Sequence, residues 1–265
     1  MIRLDAPSVL LQWSSGGLLF GWVTVRHRLL GLGYTWLLRL SFGLLALGGF
    51  ALGVRFDFHA PRDRAALVVG VMAFGLFALS YRNRARAQGE GPDGRSREGE
   101  PVTDPRLDLI APAVGAVGLV LAGIHAGDPA WLSVARMLVG AVFMGAVSDS
   151  MLLGHWYLVQ PGLTRAPLVE LVRWTGLLWL PEAVLFLVPT GMTSVWTGTI
   201  DDGYAGMLGW FWGACVVTTI GLVITTLAAL KERQYSAVMA ATGLLYLAIL
   251  TAAGTDLVGR ALLAS

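Results

Sequence analysis

The sequence predicts an all-α integral membrane protein of about eight transmembrane helices. Three observations carry that expectation. Of 265 residues, 55% are hydrophobic and only 14% are charged. The mean hydropathy is +0.67. Apolar runs of about 20 residues, the length a helix needs to cross a hydrocarbon core, recur along the whole chain.

The first run covers 8–25. Arg3 is offset by Asp5 and no small-residue cleavage site follows, so the run reads as a retained helix and not a removed signal peptide. Further spans are expected at 34–54, 65–81, 108–126, 130–159, 167–189, 204–230 and 235–258. Glycine-rich segments such as GLLALGGFALG suit helices that pack in lipid, because small residues let backbones approach. Between spans three and four, the stretch at about 83–107 mixes both charge signs with Gly, Pro and Ser and has no apolar period, which predicts a disordered cytoplasmic linker. Asp201 and Asp202 lie in a Thr- and Gly-rich loop and read as a solvated turn, since a calcium loop needs more oxygen ligands at set spacings. Trp210 and Trp212 are expected to anchor span seven at the interface.

Orientation follows from the arginines. Arg26 and Arg28, the group from Arg82 to Arg106, Arg165, and Lys231 with Arg233 follow the odd-numbered spans. Positive charge favours the cytoplasm, so both termini are expected outside. The net charge of +2 is accounted for by these loops and gives no indication of nucleic acid binding. The expected setting is the inner (plasma) membrane, multi-pass, with the bilayer and other membrane subunits as partners. Cys215 is the single cysteine, which excludes an intrachain disulfide, a CxxC pair and a thiolate cage.

A shift of 134 residues lays Trp22, Val25, Leu29, Leu37 and Arg39 over Trp156, Val159, Leu163, Leu171 and Arg173. This predicts a tandem repeat of two four-helix halves, 1–129 and 130–265, related by an axis along the membrane normal.

Span five, AWLSVARMLVGAVFMGAVSDSMLLGHWYLV, carries Arg136, Asp149 and His155 within an apolar run. Ionisable groups there are costly to insert and face a bundle interior. Asp149 is too short to snorkel and is expected to pair with a cation or relay protons; across the hairpin turning at Pro161 its nearest candidate is Arg173, as Glu182 is for Arg136. Thirteen residues rotate Arg136 and Asp149 apart on the helix, so at most one pair fits that interface. Arg39 and Arg173 suit an anionic group such as a haem propionate, with snorkelling as the alternative. His27 and His155, at the inner ends of spans one and five, suit haem ligation, and His59 with His125 suits a second haem outside. Met137, Met144, Met151 and His155 form one helical stripe, either a Cu(I) face or gap-filling core; no metal site is assigned to it.

No P-loop, HExxH, GxSxG or aspartate-rich prenyl-diphosphate motif is present, and the only lysine, Lys231, lies in a loop. The leading expectation is a quinone- or haem-b-binding subunit of a membrane redox complex, with Asp149 as proton relay and His27, His155, Arg39 and Arg173 around the cofactor. The alternative is a small-solute or ion transporter in which Asp149 binds the coupling ion. A third is a scaffold or assembly factor without chemistry.

Overall fold

The computed structural model describes residues 4–27, 29–87, 103–127, 129–160 and 162–263. The central part of the expected linker, 88–102, lies outside the described residues. Among the described residues the chain forms α1 (Ala6–Val25), α2 (Leu32–Phe56), α3 (Ala60–Ala87), a 3₁₀ turn at Pro105–Leu109, α4 (Ile110–Ala126), α5 (Ala130–Val159), α6 (Ala166–Leu187), the single turn α7 (Thr193–Trp196), α8 (Met207–Ala229) and α9 (Tyr235–Leu263). No strand occurs among them. The helical part of the expected linker is longer than its composition suggested, since α3 continues to Ala87.

Among the described residues six helices are long and apolar enough to cross a membrane: α2, α3, α4 with its preceding turn, α5, α8 and α9. The helices α1 and α6 are also long but fall short of that standard. In α1 the reason is its content of Ser, Gln and Gly, which the bundle shelters. Fourteen of its 20 residues are buried, among them Ser8, Gln12, Ser14 and Ser15, so protein and not lipid meets its polar groups. Helix α6 contains Glu170, Arg173 and Glu182.

Successive long helices pack antiparallel. Contacts between α1 and α2 run from Gly21 with Leu38 to Gly49 with Leu10, and those between α2 and α3 from Trp36 with Ser80 to Gly53 with Asp63. The same reversal joins α5 to α6, where Ser150 meets Thr175 and Arg136 meets Leu185, and α8 to α9, where Thr219 meets Thr251 and Cys215 meets Gly254. The alternation places the start of α1 and the end of α9 at one end of the bundle, the terminal end, with the 88–102 segment attached at the other, the linker end.

The helices form two rings of four. In one, α1 touches α2 and α4, and α3 touches both of those; in the other, α5 touches α6 and α9, and α8 touches both of those. The rings join where α5 packs along α1 and α4. Helices α1 and α5 run parallel, Gly16 lying against Ala141 and Gly145 and Gly21 lying near Asp149. A Cβ at Gly16 would overlap the Ala141 carbonyl, and one at Gly145 would overlap the Gly16 backbone. This is the close backbone approach that drives association in lipid, where burial of apolar area drives little. Residues such as Leu44, Val71, Val117, Leu180, Val217 and Leu250 point outward and form the lipid-facing coat.

Candidate functional site

Helix α5 is contacted by α1, α4, α6 and α9, so polar groups on several of its faces are buried. Asp149 is 0% exposed, and neither carboxyl oxygen has a hydrogen-bond partner. It lies toward α1 and α2: a Cβ at Gly21 would sit 3.9 Å from its Oδ2, and the Tyr34 hydroxyl donates to its backbone carbonyl at 3.4 Å. The expected arginine partner is absent. Arg173 is exposed on α6, and Arg136 is turned toward α6 and α9, because thirteen residues of helix rotate it well away from Asp149. The flanking serines do not serve the carboxyl either. Ser148 donates to the Met144 carbonyl and accepts the Trp13 indole N–H at 2.6 Å, while Ser150 donates to the Ala146 carbonyl and meets Thr175. An ionised carboxylate here would have nothing to pair with, a state that costs several kcal/mol. A narrow crevice of about 10 Å³, room for a single water, is lined by Gly21, Leu38, Arg39 and Asp108 among others. Gly21 therefore borders both this crevice and the space beside Asp149.

A second polar group of side chains lies about nine residues, or about 13 Å, along α5 toward the terminal end. There Gln12, Arg136, Glu182, Asp256 and Arg260 are each at least 95% buried. Arg260 Nε and Gln12 Nε2 both donate to Asp256 Oδ1, at 2.8 and 3.0 Å. Arg260 Nη2 donates to the Arg136 carbonyl at 2.8 Å. Arg136 donates to the Leu185 and Val188 carbonyls, at 3.0 and 2.9 Å, and so caps the C-terminus of α6 where the helix dipole is negative. Its guanidinium also lies over the Phe186 ring, 5.5 Å from the centroid. Glu182 has Asp256, Arg260 and Arg136 as charged neighbours, yet neither of its oxygens has a hydrogen-bond partner, and neither has Gln12 Oε1. Gly140 makes room for the cluster, since a Cβ there would collide with Gln12, Asp256 and Arg260. Sequence reasoning foresaw the proximity of Arg136 and Glu182 but missed Gln12, Asp256 and Arg260. The signals were a lone glutamine in the first apolar run and an aspartate–arginine pair four residues apart in the last.

The expected cofactor residues are not brought together. Arg39, 3% exposed, is held by Asp108 in a bidentate pair with both bonds at 2.9 Å, and also donates to the Leu76 carbonyl and to Thr103. Four of its five N–H groups are thereby used in fastening the 3₁₀ turn to α2 and α3. Arg173 lines a surface groove of about 420 Å³ with Glu170, Trp174 and Leu177, so the two arginines matched by the 134-residue shift occupy unlike surroundings. His27 is exposed beside Arg26 and Glu170, at 3.5 Å from the Glu170 carboxylate. His155 is exposed on another face, its Nδ1 3.1 Å from the Tyr246 hydroxyl. Met137 and Met144 are buried in core packing, and among the described residues no three His, Cys, Asp or Glu side chains gather as a metal site. His59 and His125 do meet, with ring centroids 5.5 Å apart.

At the terminal end, Asp202 is buried and accepts from the backbone N–H groups of Tyr204, Gly206 and Leu208. Burial alone would raise its pKa, but these donors more than offset it and hold the carboxyl below its ordinary value. The turn therefore consumes its aspartate internally. Trp210 is exposed, but Trp212 is buried against Phe186 and Trp196, because two residues on a helix point to nearly opposite faces.

No family model matches this chain, and neither does any curated protein or solved structure.

Proposed function

We propose that this chain is a proton-coupled carrier of the inner membrane, moving a small solute or ion, with all eight long helices crossing and both termini outside. The observation that carries the reading is the set of four buried carboxyl oxygens, on Asp149 and Glu182, that have no hydrogen-bond partner. A carboxyl held this way loses little by carrying a proton and much by giving it up, so a change in its surroundings turns directly into proton uptake or release. Asp149 is the relay reached from the linker end past Gly21. The two four-helix rings, in contact through α1, α4 and α5, supply units that could rock against each other, the motion by which tandem-repeat carriers alternate access.

The test is purified protein in liposomes loaded with a pH-sensitive dye. Imposed gradients of amino acids, sugars and monovalent cations are expected to include one that moves protons in the intact protein and fails to in Asp149→Asn. Proton movement equal in both, or none for any gradient, counts against the carrier.

One observation favours a redox subunit holding haem b or a quinone, namely the contact between His59 and His125. A Soret band in the purified protein that is lost on substituting either histidine would establish the haem form of that reading.

A further inference from the structure

The cluster at the terminal end contains acceptors that its donors do not reach. Gln12 Oε1 and both Glu182 oxygens are buried and unpartnered, and Gln12 is fixed in orientation because its Nε2 donates to Asp256. The hydrogen bonds that Arg260 and Arg136 make go to Asp256 and to backbone carbonyls, and none goes to Glu182. What Glu182 lacks is a donor aimed at it. A metal cation would take several oxygen ligands and would add a third positive charge beside two guanidinium groups. A proton needs one oxygen to carry it and one to receive the hydrogen bond.

We propose that Glu182 and Asp256 form a proton-binding site in which Glu182 carries the proton and donates to Asp256. It rests on the carrier reading for its role as the second, terminal-side station, but as a proton site it stands on this geometry alone. The balance is simple. On loading, an O–H bond forms on one Glu182 oxygen, and Arg136, Arg260 and Asp256 leave the cluster one unit positive. On release that O–H bond breaks, the proton leaves to water at the terminal end, and the cluster becomes neutral. The charged groups facing Glu182 are Arg136 on α5 and Asp256 and Arg260 on α9, and Gln12 on α1 joins them through Asp256. Of these Arg260 is the one that moves, because an ionised Glu182 competes with Asp256 for its guanidinium. Proton release at α6 is thereby converted into a shift of α9.

Infrared difference spectra of the purified chain between acid and alkaline pH read this directly, since a protonated carboxyl has a carbonyl stretch that its carboxylate lacks. The expected result is a carboxyl band with a component that disappears in Glu182→Gln, returns in Glu182→Asp, and persists in Asp149→Asn. A band unchanged by Glu182→Gln overturns the proposal. So does a thermal transition that sodium chloride raises, relative to N-methylglucamine chloride, in the unaltered protein and not in Glu182→Gln, which would make the site a metal site. Should that variant not fold, a hydrophobic carbodiimide, which reacts only with protonated carboxyls, reports on the unaltered chain. Peptide mapping is then expected to find Glu182 modified, with modification falling as pH rises; absence of modification across the pH range overturns the assignment. These readouts need no transported solute, so they fail or succeed separately from the carrier.

Discussion

Replacing Asp149 by leucine is expected to stabilise the protein. Leucine reproduces the branched skeleton of aspartate, two terminal atoms on Cγ, and puts methyl groups where the two carboxyl oxygens sit. Those oxygens have no partner, so the substitution breaks no hydrogen bond and strands no cation. What it removes is the cost of a buried, unsatisfied polar group, about 1–3 kcal/mol. On the α1 side Gly21 leaves space, its missing Cβ lying 3.9 Å from Oδ2. Fitting the two methyl groups returns part of the gain, so a net rise of up to about 2 kcal/mol is expected, comparing the former range with overpacking costs. Unfolding in mixed detergent micelles, followed by helical signal against denaturant, measures it. Transport in liposomes is expected to be lost at the same time, separating stability from function at one position. A fall of about 3–5 kcal/mol would refute the reasoning, because only an ion pair broken at Asp149 would produce a loss of that size.

Arg39→Leu is expected to cost about 3–5 kcal/mol by leaving Asp108 without its bidentate partner, and the double variant with Asp108→Leu to recover most of it; unfolding midpoints compare the three. Gly145→Ala places a methyl group against the Gly16 backbone, which cannot rotate away, and is expected to cost at least about 1–3 kcal/mol, whereas Gly75→Ala, with nothing within 4 Å, is expected to gain up to about 1 kcal/mol from helix propensity. Asp202 has a pKa depressed in the folded state, so its contribution is complete above the ordinary value of 3.8 and is lost only as pH falls through the lower folded value. Hydrogen exchange at Tyr204, Gly206 and Leu208 is accordingly expected to stay slow down to pH 3.8 and to quicken below it, and Asp202→Asn to remove that pH dependence.

The helical layout was readable because lipid imposes it. Span five coincides with α5, Ala130–Val159, since the apolar run ends where the helix does. The antiparallel hairpins followed from short loops, and the tension between helical phase and the proposed α5–α6 ion pairs was visible before any coordinates. Which side Asp149 faces was not readable, because phase gives a direction on one helix and says nothing about which of four neighbours fills it. Arg260 was overlooked because hydropathy closes the last span near 258, while α9 continues to Leu263 and carries the arginine into the core. Arg39 and Arg173 share a place in the 134-residue shift but not an environment, since the carboxylate that buries Arg39 belongs to the turn before α4.

The make-up of α1 bears on how the chain is synthesised. Helix α1 leaves the ribosome before the helices it packs against, yet its serines and Gln12 make it one of the two long helices least able to settle in lipid alone. The surfaces that receive it are largely later products: Ala141 and Gly145 of α5 cover Gly16, and Asp256 of α9 receives Gln12. More than a hundred residues must be translated before the first of these partners exists. Until then α1 depends on α2 and α4 for cover, or waits beside the insertion machinery, which makes it a segment whose membrane residence is settled after that of helices made later. Truncating the chain before α5 should therefore leave α1 the most easily extracted helix of the fragment.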